Sequence, residues 1–337
     1  MPINTQSSYQ NKTILAVLLF MWAATGSNFL GFKVALQDIP PFSLTAVRVA
    51  LAAAILLPLA MILADNRAIT GKQVIGCAVA SIFFVFFGQG IVVWGMQGLS
   101  SGQTALILAC VPMLGVLLGW LVRKRMPSMR ILTGLAIGLA GLALVVSGSL
   151  VGTMPMPSLA AVLLGAFGWA LGTVIAPKLD LPANALMATL LQFGFGGAIL
   201  ATTGFIAGEH TGWIASARPT TWLALAWIVV VGSVIGFGSF MYLRARVHDA
   251  LANSFFYTTP VVALFLGWAV LGEAVTYREV VGGAAAFVGV FLILSASGVT
   301  LRGKSGLPSS ARRGSTGVLS AKVGTGFTVR KRDKTKT

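Results

Sequence analysis

The sequence predicts an all-α integral membrane protein, ten transmembrane helices arranged as two inverted five-helix repeats, and three observations predict it. Of 337 residues, 56% are hydrophobic and only 9% charged, against about 25% charged in soluble domains. The apolar residues gather into ten runs of roughly the 20 residues a helix needs to cross a bilayer core. Finally, the stretch Pro260–Ser297 has an upstream copy at Pro112–Ser149, identical without a gap at 12 of 38 positions and displaced by 148 residues. A repeat that long is a doubled half-protein rather than a solenoid unit.

The runs fall at 14–36, 42–64, 74–95, 104–122 and 131–150 in the first half, and at 159–177, 185–207, 221–243, 250–272 and 279–298 in the second. An N-terminal segment 1–12 therefore precedes a first repeat 13–150, a second repeat 158–298 and a basic tail 302–337. Residues 1–12 carry a single Lys, and the apolar run after them is long enough to stay in the bilayer as the first span. Gly and Pro punctuate the connections, as at Pro40-Pro41, Gly98–Gly102 and Met154–Pro157. Helices are expected in between, because lipid offers no partner to an unpaired backbone group.

Basic residues set the orientation. With the N-terminus inside, the cytoplasmic segments hold Lys12, Arg67, Lys72, Arg123, Lys124, Arg125, Arg130, Lys178, Arg244 and Arg246. The outer side holds Lys33, Arg48, Arg218 and Arg278, ten against four, so both termini are expected in the cytoplasm. Five spans per repeat is an odd number, so the second repeat enters the membrane upside down. The copies differ accordingly: the first ends Val122-Arg123-Lys124-Arg125 on the inside, the second Leu271-Gly272-Glu273 on the outside.

The net charge of +16 is then a topology signal rather than a nucleic-acid footprint, since ten of the 24 Lys and Arg lie in the tail. That tail, almost without aromatic residues, is expected to be disordered. Cys77 and Cys110 sit in apolar runs and read as small buried hydrophobes. The sequence contains no H-E-x-x-H, no Walker loop and no C-x-x-C, and its two histidines fall near loops on opposite sides. Metal, nucleotide and catalytic-dyad chemistry are thereby set aside and no cofactor is expected. None of the eight acids lies at the middle of a span, which argues against a carboxylate proton relay.

Several short motifs occur in order: Gly26-Ser27-Asn28-Phe29 with Lys33 in span one, Pro40-Pro41 before span two, Arg48 within it, and two P-x(6)-G-W copies, the later closing with Gly272-Glu273. Over residues 12–298 they resemble the EamA family of the drug/metabolite transporter superfamily. Thr25 departs from the pattern, standing where many relatives carry Trp. The resemblance implies a carrier of small organic solutes in the bacterial inner membrane, often an exporter of amino acids or related metabolites. It also implies alternating access at a central cavity lined mainly by spans one, three, four, six, eight and nine. A non-transporting membrane scaffold or assembly factor is the other class the sequence leaves open.

A solute held at mid-membrane needs polar and aromatic groups facing a wet cavity. The substrate-binding candidates are Asn28 in span one, Gln89 and Trp94 in span three, Trp169 and Thr173 one turn apart in span six, and Asn253 and Tyr257 in span nine. Each can equally be a packing residue or a helix–helix hydrogen bond. Pro112 and Pro260 occupy matching places in the two copies and read as kinks beside a binding region at the repeat interface, with gating as their role. Arg48 and Glu273 read as anchors at the outer interface, although a guanidinium inside a span could instead bind an anion. Gly134, Gly138 and Gly141 in span five, with Gly282, Gly283 and Gly289 in span ten, predict close helix contact. The partners expected are a small-molecule substrate and the bilayer, with the chain a monomer or homodimer and no nucleic acid bound.

Overall fold

Among the described residues, ten helical columns follow one another. They are α1 (Thr5–Ala35), α2 (Pro41–Leu63), α3 (Gly71–Gly95), α4 (Ser101–Val122), α5 (Met129–Val146), α6 (Met156–Ile175), α7 (Ala185–Ile206), α8 (Pro219–Ile235), α9 (Phe255–Leu271) and α10 (Tyr277–Ala296). The computed structural model describes residues 5–63, 69–124, 126–147, 154–236, 238–239, 242–243 and 255–296; the basic tail and Asn253 lie outside them. Among the described residues there is no strand. The helices from α1 to α7 are each long and apolar enough to cross a bilayer, while the described lengths of α8 and α9 are shorter.

Local sequence sets where the helices begin. Thr70 and Gln73 form a reciprocal capping box at the start of α3, and Ser100 and Gln103 do the same for α4. Asn184 accepts from the amides of Leu186 and Met187 at the start of α7. Prolines whose missing N–H costs nothing in the first turn open α2 and α8.

The packing is two-fold in pattern. α1 packs on α9 as α6 packs on α4, α3 packs on α6 as α8 packs on α1, and α3 packs on α7 as α8 packs on α2. The pairs α2–α7 and α5–α10 are their own counterparts. The glycine seam fixes the direction of the relation. A Cβ on Gly134 would meet the carbonyl of Gly289 at 2.6 Å and one on Gly289 the carbonyl of Gly134 at 2.5 Å; Gly141 and Gly282 repeat this at 2.5 and 2.6 Å. Gly134 and Gly282 are equivalent in the sequence repeat, as are Gly141 and Gly289. Such reciprocal contacts along one pair of helices require them to run antiparallel, so the two five-helix halves are inverted copies. The expected close contact of these glycines is what the structure contains.

Four carboxylates join the halves, all near the ends of helices on one face. Glu209, beyond α7, accepts from the amides of Phe42 and Ser43 at 3.0 and 2.7 Å and so caps α2. Asp38, after α1, pairs with Arg218 at 3.0 Å and accepts from Thr221 at the start of α8. Glu279 of α10, only 2% exposed, accepts from Gln103 of α4 at 2.8 Å. Glu273 differs from expectation: it anchors, but it does so across the molecule. Its carboxylate accepts from the amide of Ser101 at 3.0 Å and from the Ser101 hydroxyl, which caps α4 rather than serving its own helix α9. Gly267 leaves it room, because a Cβ there would lie 2.1 Å from Glu273 Oε2. The matching Gly119 of the first copy has nothing within 4 Å.

Candidate functional site

A cavity of about 250 Å³ lies between the two halves, near the lower end of the size range of small-molecule sites. It is walled by Thr25, Asn28, Phe29 and Phe32 of α1, Arg48 of α2, residues of α3 and α4, Trp169 of α6, Gly232 of α8, and Phe255 and Thr259 of α9. These are the six helices the resemblance implies, with α2 added through one side chain. A larger groove of about 650 Å³ between α9 and α10 is a different kind of surface. Val261, Phe265 and Trp268 line it at about 60% exposure, and its one carboxylate, Glu279, is already bonded to Gln103 and Thr276, so it reads as a lipid-facing cleft.

The motif of α1 is explained residue by residue. Gly26 lets α9 approach, since a Cβ there would meet Val262 at 2.3 Å. The Ser27 hydroxyl accepts from the Trp227 indole of α8 at 3.1 Å. Asn28 lies against Gly232 of α8, where a Cβ would meet the amide at 2.3 Å, and its Oδ1 is buried without a hydrogen bond. Above this, Lys33 donates to the carbonyl of Met96 at 2.8 Å. Below it, the Thr259 hydroxyl donates to that of Thr25 at 2.9 Å, tying α9 to α1.

Arg48 occupies the centre of the site. It sits two turns into α2 and lines the cavity instead of reaching the outer interface. Its Nε donates to Ser233 Oγ at 3.0 Å, its Nη1 to Gln89 Oε1 at 2.7 Å, and its guanidinium carbon lies 5.1 Å from the centre of the Phe32 ring. The two acceptors belong to corresponding helices of the two repeats. Each lies in a stretch of π-helix, Ile82–Ile91 in α3 and Ile228–Ile235 in α8. Each also donates to the carbonyl five residues earlier, Gln89 to Phe84 at 3.2 Å and Ser233 to Ile228 at 3.0 Å. Widened helical turns of this kind free backbone acceptors and recur at functional sites. Gly88 belongs to the same stretch and admits Trp169, which stands edge-on to Phe84 with ring centroids 5.4 Å apart.

Of the substrate-binding candidates, the structure brings Asn28, Gln89 and Trp169 to the cavity. Trp94 packs against the α2–α7 cluster around Val49 and Leu200 and does not line it. Thr173 returns its hydroxyl to the Ala170 carbonyl at 2.7 Å and faces Gly115 of α4. Asn253 and the Tyr257 side chain lie outside the described residues. Pro112 is a helix starter: α4 is interrupted at Ala109-Cys110 and Pro112 stands in the first turn of its second segment. Pro260 lies inside the continuous helix α9. Phe32 and Gly232 are not among the sequence candidates, Thr25 stands out there only as a departure from the family pattern, and Arg48 reads from sequence as an anchor with anion binding as the alternative. The signal for Arg48 was present, a charge several residues inside a span.

Outside the spans, Arg218 beside Asp38 holds that carboxyl well below the usual carboxylate range, chiefly through its guanidinium hydrogen bond, with Thr221 adding to it. Among the described residues no group of His, Cys, Asp and Glu could hold a metal ion.

The EamA-like transporter family matches this chain twice, over residues 12–147 and 156–295. "Uncharacterized inner membrane transporter YedA" of Escherichia coli (strain K12) is 29% identical over 269 residues, 79% of this chain and 85% of that protein. The "Probable amino-acid metabolite efflux pump" of Salmonella typhimurium is 25% identical over 304 residues, covering 85% of this chain and 95% of its own length. A solved crystal structure shares the fold at a TM-score of 0.56 with 15% identity, covering 85% of this chain and 98% of that one. The two matched halves, the inverted ten-helix bundle and the cavity between them agree: this multi-pass membrane protein belongs to the EamA-like transporter family.

Proposed function

We propose that the protein is a secondary transporter that exports small organic metabolites, amino acids or related solutes, by alternating access at the cavity between its repeats. The observation that carries this reading is the cavity itself, at the interface of two inverted halves and lined by helices of both. The named relative from Salmonella typhimurium supports the solute class, and the distribution of Lys and Arg supports a bacterial inner membrane location with both termini in the cytoplasm. The chain acts as a monomer or homodimer.

Counterflow of labelled solutes in proteoliposomes tests it. Exchange of at least one amino acid or related metabolite is expected, and no exchange over a broad panel would return the chain to the scaffold class. Replacing Pro112 and Pro260 by Ala is expected to slow that exchange, because one starts a helix at a break in α4 and the other frees a carbonyl within α9. Unchanged rates would remove the prolines from the mechanism.

A further inference from the structure

A guanidinium stays charged at every pH a cell meets, and burying an unpaired charge is among the costliest things a membrane protein does. Arg48 is in that position. Its partners among the described residues are a neutral amide, a neutral hydroxyl and an aromatic face, and no described Asp or Glu lines the cavity. The one ion pair among the described residues, Arg218–Asp38, lies at the surface. The other cation near the cavity wall, Lys33 on the carbonyl of Met96, has the same sign.

The hydrogen-bond inventory is equally one-sided. A guanidinium carries five N–H donors, and Ser233 and Gln89 take two of them. That leaves one donor on Nη1 and both on Nη2, so Nη2 as a whole is open to a carboxylate, which forms its strong hydrogen bonds with a charged donor of this kind. Ser233 and Gln89 also hold the guanidinium in place, because each is itself tied to its own π-helix carbonyl. A second polar group waits nearby: Asn28 Oδ1 is buried without a hydrogen bond, and the amide rests on Gly232, the neighbour of Ser233. Apart from Thr25 and Thr259, whose hydroxyls bond each other, the remaining wall is largely apolar and aromatic, with Phe29, Phe32 and Trp169.

We propose that Arg48 is the anion subsite of the transport cavity, taking the carboxylate of the transported solute on its free Nη2 while the solute's apolar body lies against the aromatic wall. This rests on the transporter reading and narrows it: the solutes are small organic carboxylates, and a solute with an amine beside the carboxylate meets Asn28 as well. Gln89 and Ser233 are positioning residues that orient the guanidinium.

The test uses full-length protein in proteoliposomes and three probes of nearly equal size: L-leucine, 4-methylpentanoate, which lacks the amine, and L-leucinamide, which lacks the carboxylate. At least one of the two carboxylates is expected to exchange, with leucinamide weaker by about ten-fold or more, the scale of one good charge-assisted pair. Arg48→Lys is expected to weaken carboxylate exchange, and Arg48→Gln to erase the difference between leucine and leucinamide. The comparison in the unmodified protein stands even where a variant folds poorly. A guanidinium that only ties α3 to α8 would not distinguish acid from amide. Leucinamide exchanging as well as leucine therefore overturns the proposal and leaves the transporter reading intact. So does exchange confined to amines or uncharged solutes across a wider panel. Exchange of no solute at all removes the transporter reading and the anion subsite with it.

Discussion

Gly232 shows how much a single residue controls at this site. A methyl group there would fall 2.3 Å from the Asn28 amide, which lines the cavity and would have to shift. Gly232→Ala is therefore expected to leave the protein folded and to weaken apparent solute affinity by about ten-fold, which corresponds to roughly 1.4 kcal/mol; concentration-dependent exchange in proteoliposomes measures it. This glycine could not be singled out from sequence, because it has no side chain to signal with and its role exists only opposite Asn28. Arg48 was visible as a charge inside a span, but what it faces depends on Gln89 and Ser233, 41 and 185 residues further along the chain. Asn28, Gln89 and Trp169 were candidates because a solute held at mid-membrane needs polar or aromatic groups facing a cavity, and all three line this one. Trp94 and Thr173 fit the same description and pack elsewhere, since residue type does not reveal which side of a helix faces the cavity.

Between helices, backbone proximity and end-capping matter more than ion pairs. Gly134→Ala puts a methyl 2.6 Å from the Gly289 carbonyl, and overpacking of that kind costs about 1–3 kcal/mol. Gly119→Ala meets nothing within 4 Å and is expected to be neutral or to stabilise by under about 1 kcal/mol through helix propensity. Thermal unfolding in detergent separates the two, and equal effects would contradict the seam. Glu273→Ala removes the carboxylate that caps α4 across the repeat boundary; a loss of about 1–3 kcal/mol is expected by the same measurement. At the exposed Asp38–Arg218 pair the folded carboxyl is held low, so its contribution is fully present above the ordinary Asp value of about 3.9. It is lost as pH falls further, toward the depressed value in the folded state. Asp38→Asn should flatten stability against pH only on that acid side, with no change in slope between about pH 5 and 8. The helices and their glycine faces were readable from the apolar runs and the repeat, whereas the π-helical turns of α3 and α8 were not, because residue type does not distinguish a π turn from an α turn within an apolar run.

For the molecule as a whole, inversion has a direct experimental signature. Cys77 and Cys110 are buried, so single added cysteines report accessibility with little background. Cysteines at Gln97 and Met126, at opposite ends of α4, are expected to react from opposite sides of the bilayer; labelling from one side alone would contradict the threading. The seam between α5 and α10 also bears on how the chain is made. The first half finishes with α5, yet the glycine face of that helix meets its partner only when α10, the final described helix, is in the bilayer. During synthesis that strip of bare backbone lies against lipid tails, and the earlier helices must wait for the last to arrive before the bundle closes.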